Sequence, residues 1–198
     1  MIKINQGKKE KFDKDFDLIK NEILNITLQW KIYKQIYGNK KNVDLTNEFS
    51  PMFFGLYQKI SYDWVIISIT RLLDPSKIQG YNNLSLKRLL EKNKNKKDLY
   101  EEISKIYDEL KEKSKKLEIH RNKRIGHNDL NKARANYEKL PVITRNLIDK
   151  VLRDIYDFMN EISLYYYDYK ECYGKLIFEK DFNLIKNLKM LKKVSDDW

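Results

Sequence analysis

Phe12, Phe16, Ile19, Ile23, Ile26, Trp30, Tyr33 and Tyr37 recur at alternating intervals of four and three residues. That spacing gathers side chains on one face of an α-helix. The stripe stops at Gly38-Asn39, where glycine can take the left-handed conformation that ends helices, and a polar connector is expected as far as Phe49. Ser50-Pro51 offers a capping residue followed by proline at the first helical position, so a second helix is expected to start there. Its apolar face reads Phe53, Tyr57, Ile60, Trp64 and Ile67. Asp74-Pro75 should end it, because proline removes a donor and restricts the residue before it.

A polar, glycine-containing stretch, 76–83, leads to a short helix over about 85–92, and the lysine-rich run 92–97 reads as a solvated connection. The next long helix puts Leu99, Ile103, Ile106, Leu110 and Leu117 on one face and dense Lys and Glu on the other. Residues 130–140 read as a short helix or a structured loop, and Pro141 opens the last long helix. That helix has one stripe of Leu147, Val151, Ile155, Phe158, Ile162, Tyr165 and Tyr169, and a second of Ile148, Leu152, Met159 and Tyr166. So wide an apolar sector belongs to a helix that is either central in one subunit or shared with a partner subunit. After Gly174, Leu176, Ile177, Phe178, Phe182, Leu184, Ile185, Leu188 and Leu191 suggest a terminal helix packed across the bundle or across a dimer. The expected fold class is all-α, a helical bundle of four long helices plus short accessory helices. One domain is expected over 1–198, with its core over about 8–173 and a C-terminal packing helix in 174–198.

Composition narrows the partners. Forty Lys+Arg against 29 Asp+Glu give a formal charge of +11, which suits a polyanionic partner, whether nucleic acid or an acidic membrane surface. The excess of Lys, Asn, Ile and Tyr also fits AT-rich codons, so the charge is supporting evidence only. Cys172 is the single cysteine and cannot form an internal disulfide, and the first residues lack the apolar core of a signal peptide, so a cytoplasmic location is expected. The longest uncharged apolar run, Trp64 to Thr70, is far short of the roughly 20 residues that span a bilayer, and no membrane partner is expected.

The candidate chemistry lies at the end of the third long helix, in His120-Arg121-Asn122-Lys123-Arg124-Ile125-Gly126-His127-Asn128-Asp129, which holds both histidines of the chain. Continuing the 99, 103, 106, 110 stripe through Ser114 and Leu117 brings Arg121 and Arg124 to the inward face. Arg121 and His127, six positions apart, would point roughly 240° apart on an unbroken helix. They meet only if the helix breaks, and Gly126 is the expected place. A structural role competes with a catalytic one: inward arginines pair with carboxylates, here Asp63 or Asp74, and Arg71 would pair with Asp74.

The string Arg121-Asn122-Lys123-Arg124-Ile125-Gly126-His127-Asn128-Asp129 resembles the Arg-(Asp/Asn)-Lys-x-x-(Ala/Gly)-His-x-Asp pattern of the HEPN branch associated with U-type abortive-infection systems, and Ile69-Thr70-Arg71-Leu72-Leu73-Asp74-Pro75 is also similar to that branch. The resemblance implies a helical bundle that dimerises with the motif near the interface. Arg121 and His127 would then be the catalytic pair, Asn122 a supporting polar residue, with Arg124, Asp129, Arg71, Asp74 and His120 around them. RNA cleavage by the ribose 2′-hydroxyl needs a proton carrier and a cation on the phosphoryl oxygens. His127 and Arg121 supply these, and neither metal nor cofactor is expected. Where some HEPN toxins carry a tyrosine two residues after the histidine, this chain has Asp129, which argues against control by nucleotidylation there.

The leading expectation is a metal-independent endoribonuclease, dimeric, acting in phage defence or as a toxin with an antitoxin or defence-system partner. The alternative is a non-catalytic HEPN module that binds nucleotide, RNA or a partner protein. A DNA-binding role lacks a recognition helix, and a membrane-surface role is poor because a bundle core consumes the amphipathic stripes.

Overall fold

The structure is a computed structural model that describes residues 14–125, 139–175 and 183–196. Within them the helices are α1 (Lys14–Tyr37), α2 (Lys40–Phe49), α3 (Pro51–Leu72), α4 (Leu86–Lys92), α5 (Lys97–His120), α6 (Arg145–Tyr167) and α7 (Leu184–Asp196). Between α3 and α4 a small antiparallel hairpin, β1 (Lys77–Ile78) and β2 (Tyr81–Asn82), turns on Gln79 and Gly80, both at positive φ. The architecture is the expected all-α bundle: α1, α3, α5 and α6 are its long helices and the rest are accessory.

The α1 stripe from Phe16 to Tyr37 is buried as its period requires. Gly38 ends the helix by a different means from the left-handed turn expected of it. A Cβ on Gly38 would lie 2.2 Å from the Lys34 carbonyl oxygen, so the close backbone approach, and not a positive φ, demands glycine. The polar connector expected next is instead α2. Asn39 caps it, its side chain accepting from the Asn42 N–H at 3.0 Å, and only Leu45 and Thr46 are buried. So short a buried face leaves no stripe to read.

Helix α3 starts and stops where proline and cap residues place it, but its buried face differs from the expected one. Phe54, Val65, Ile66, Ile69 and Leu72 are buried, while Phe53, Ile60 and Trp64 are exposed. The helix is apolar on almost every side, so its periodicity carries no phase.

In α5, Leu99, Ile103, Leu110, Ser114 and Leu117 face inward, joined by Tyr107. They pack mainly on α6, whose N-terminus is capped by the Thr144 side chain. Both α6 stripes are covered within the subunit at Ile148, Val151, Leu152, Ile155, Phe158, Met159 and Ile162, which makes α6 the central helix. Burying each such side chain stabilises the fold by about 1.5–3 kcal/mol. Polar ties fix α1 against α6: Thr27 Oγ1 meets the Tyr156 hydroxyl at 2.8 Å, Trp30 Nε1 donates to Asp149 at 2.8 Å, and Arg145 donates to the Tyr37 carbonyl at 2.7 Å. Helix α7 lays Ile185 and Leu188 against α1 and α2. Among the described residues no helix is long and apolar enough to cross a membrane.

Candidate functional site

Helix α5 changes pitch before the glycine at which a break was expected. From Arg121 to Ile125 it opens into a π-helical turn, in which hydrogen bonds reach one residue further than in an α-helix. Such turns are rare and recur at functional sites. Gly126, His127 and Asp129 lie outside the described residues, so the contact between Arg121 and His127 is not part of the described geometry.

The two arginines face α3, the side to which the α5 stripe carries them. Arg121 Nη1 and Nη2 donate to Asp74 Oδ1 and Oδ2 at 2.5 and 3.1 Å, a two-pronged pair just past the end of α3. Arg124 Nη2 donates to Asp63 Oδ1, also at 2.5 Å, in the body of α3. All four side chains keep less than a third of their surface in contact with solvent, so each charge depends on its partner. Planar guanidinium matches carboxylate geometry in a way that a lysine ammonium does not.

His120 sits between this pair and the segment leading to α6. Its Nε2 lies 2.7 Å from the Pro141 carbonyl oxygen, and its Nδ1 accepts from Arg124 Nε at 3.4 Å. A carbonyl only accepts, so Nε2 carries the proton and Nδ1 is the acceptor. Tyr62, on α3 beside Asp63, donates to the Ile143 carbonyl at 3.0 Å. Burial, followed by the neighbouring Tyr33, pushes its hydroxyl up to about 12 against the opposing pull of Arg124, so it serves as a neutral donor. The turn is thereby tied both to α3 and to the entry of α6.

Arg71 and Asp74 do not pair. Arg71 is exposed because the true inward face of α3 is turned away from it, and Asp74 is taken by Arg121. Asn122 is exposed on the turn, with no side-chain partner among the described residues. Asp63 and Asp74 were legible as candidate partners from their places on the second long helix. The Pro141 carbonyl was not, since a backbone oxygen leaves no mark in sequence.

Elsewhere, a cleft of about 340 Å³ between α1 and α6 is lined by Trp30, Lys34, Asp149, Arg153 and Tyr156 among others. Trp30 and Lys34 both donate to Asp149, and among the described residues no motif residue lines the cleft. The family model described as HEPN_AbiU2 (AbiU2) matches residues 9–182. The chain belongs to the AbiU2 family of HEPN domains. Neither the curated proteins nor the solved structures hold a match to it. In this HEPN domain the match takes in every element from α1 to α6, so the clamped turn is family territory, while α7 lies beyond it. A guanidinium has five N–H donors. Asp74 engages two of those on Arg121, which fixes the orientation of the fork and leaves further donors for an anion.

Proposed function

We propose that this HEPN domain is a metal-independent endoribonuclease of a phage-defence or toxin system, cutting RNA at a composite site that a homodimer builds from Arg121 and His127 of each copy. The supporting observation is the turn itself: in a chain of the AbiU2 family, the arginine of the Arg-His motif is held in a fixed orientation by Asp74 on a helix end that departs from α geometry. Arg121 offers its remaining donors to the phosphoryl oxygens as charge builds on them. His127 takes the proton of the attacking 2′-hydroxyl near neutral pH. As the 2′-O–P bond forms, the P–O5′ bond breaks and the leaving 5′-oxygen takes up the proton from the histidine, giving a 2′,3′-cyclic phosphate and a 5′-hydroxyl end. The excess of 40 Lys+Arg over 29 Asp+Glu favours a polyanionic substrate.

One observation favours the second reading, a non-catalytic HEPN module that binds RNA, nucleotide or a partner protein. Asp74 neutralises the same guanidinium that catalysis would use. The two are separated by incubating end-labelled mixed RNA with the protein in EDTA, beside His127→Ala. Cleavage by the parent and not by the variant supports the nuclease. Intact RNA in both, with retained binding, supports the module.

A further inference from the structure

The cleft between α1 and α6 has a chemistry that the Arg-His motif does not use. Lys31 and Lys34, one turn apart on α1, and Arg153 on α6 bring three cations to its walls. Asp149 is the one carboxylate among the described residues that line it. Trp30 Nε1 at 2.8 Å and Lys34 Nζ at 2.6 Å both donate to the same oxygen, Asp149 Oδ1, so this carboxylate already serves two donors. Arg153, one turn further along α6, has no side-chain partner among the described residues, and neither has the amide of Asn146, one turn before. Burial first, and then the Lys34 ammonium beside it, hold Lys31 below the usual lysine range. An anion seated among these groups relieves that repulsion.

The floor differs from the walls. Trp30, Leu152 and the Tyr156 ring give it an apolar surface, and Tyr156 is fixed by Thr27 Oγ1 at 2.8 Å and by stacking on Tyr173 with ring planes 12° apart. The volume of about 340 Å³ is at the lower end of small-molecule sites and gives more room than one inorganic ion fills.

We infer that this cleft binds a small organic phosphate monoester, its dianion held by Arg153, Lys31 and Asn146 and its organic part laid against Trp30, Leu152 and Tyr156. Three cations against one carboxylate match the charge of such an ester, about −2 near neutral pH. The guanidinium fork gives phosphate oxygens a two-pronged contact that a spherical anion cannot use. Asp149 is a positioning residue, holding Lys34 and the indole in place. Because no described residue of the motif lines the cleft, the inference stands or falls apart from the ribonuclease reading.

Isothermal titration calorimetry of the full chain near pH 8, where the ester is a dianion, tests it with phenyl phosphate as the probe. Inorganic phosphate, which lacks the ring, and phenyl sulfate, which carries a single charge, are titrated beside it at equal ionic strength. Phenyl phosphate is expected to bind one to one and more tightly than either. Arg153→Ala and Lys31→Ala should each weaken it about tenfold, with unchanged helical circular dichroism. Lys94→Ala, an equal loss of charge outside the lining, should leave it unchanged. Arg153 is exposed, so its variant keeps the test informative if Lys31→Ala unfolds. No saturable binding of phenyl phosphate at millimolar concentration would overturn the inference. Equal weakening by all three variants would overturn it too, by reporting only diffuse basic charge. So would inorganic phosphate binding as tightly as the ester, since the apolar floor would then hold nothing.

Discussion

Asp74 grips Arg121 with both carboxylate oxygens, and the consequence of loosening that grip can be stated. Asp74→Asn keeps the shape but removes the charge, leaving a half-buried guanidinium with one weak acceptor. Unfolding free energy from urea titration should fall by about 1–2 kcal/mol, since charge-assisted bonds are worth roughly 1.5–3 kcal/mol and these are partly solvated. In Arg121→Ala/Asp74→Asn the losses should be less than additive, as expected of residues in direct contact. His120→Phe fills the same space but drops both the Pro141 and Arg124 bonds, and a loss of about 1–2 kcal/mol in the same titration is expected. Ser114 gives the opposite sign. Its hydroxyl is buried in α5 without a hydrogen-bond partner, so Ser114→Ala should leave the melting temperature unchanged or raise it. The arginines and their carboxylate partners could be read from the sequence because charges that fall on an inward stripe must be matched. Which carboxylate served which arginine could not, since that depends on how far α5 slides along α3.

Among the elements, those with a narrow apolar stripe were readable and those without one were not. Helices α1, α5 and α6 bury most of the residues that their periods select, though Tyr165 near the end of α6 and Tyr169 beyond it stay exposed. Helix α2 buries too little to leave a pattern, and α3 has apolar residues on too many sides for a period to say which face turns inward. The opened turn at Arg121–Ile125 was invisible for a related reason: no residue type marks a π turn, and the glycine at which a break was expected lies just past it, outside the described residues. The junction of α1 and α2 makes a sharp prediction. Gly38→Ala drives a methyl group against the Lys34 carbonyl, and because the obstacle is backbone the helix end must shift. A loss of about 1–3 kcal/mol is expected in thermal or urea unfolding, while Gly55→Ala, with open space around it in exposed helix, should be neutral or stabilising.

At the scale of the whole molecule, tyrosines set the alkaline limit. Burial comes first among the causes that push Tyr37, Tyr62 and Tyr107 up to about 12, and it raises Tyr173 as well. A folded-state pKa above the unfolded value of about 10 means stability that is complete below pH 10 and lost as the pH climbs toward 12. Unfolding followed by tyrosinate absorbance should therefore show a late cooperative rise in that window, and Tyr62→Phe should reduce its amplitude. The ties between α1 and α6 also bear on how the chain is made. Trp30 and Asp149 are 119 residues apart and Thr27 and Tyr156 are 129 apart, whereas Arg121 and Asp74 are separated by 47. On the ribosome the clamp between α3 and α5 can close early. Helix α1, at about 5–20 residues per second, waits on the order of ten seconds for the helix that covers it. A nascent chain halted at residue 140 thus carries the whole Arg-His motif on an unfinished bundle, and the core closes only when α6 arrives.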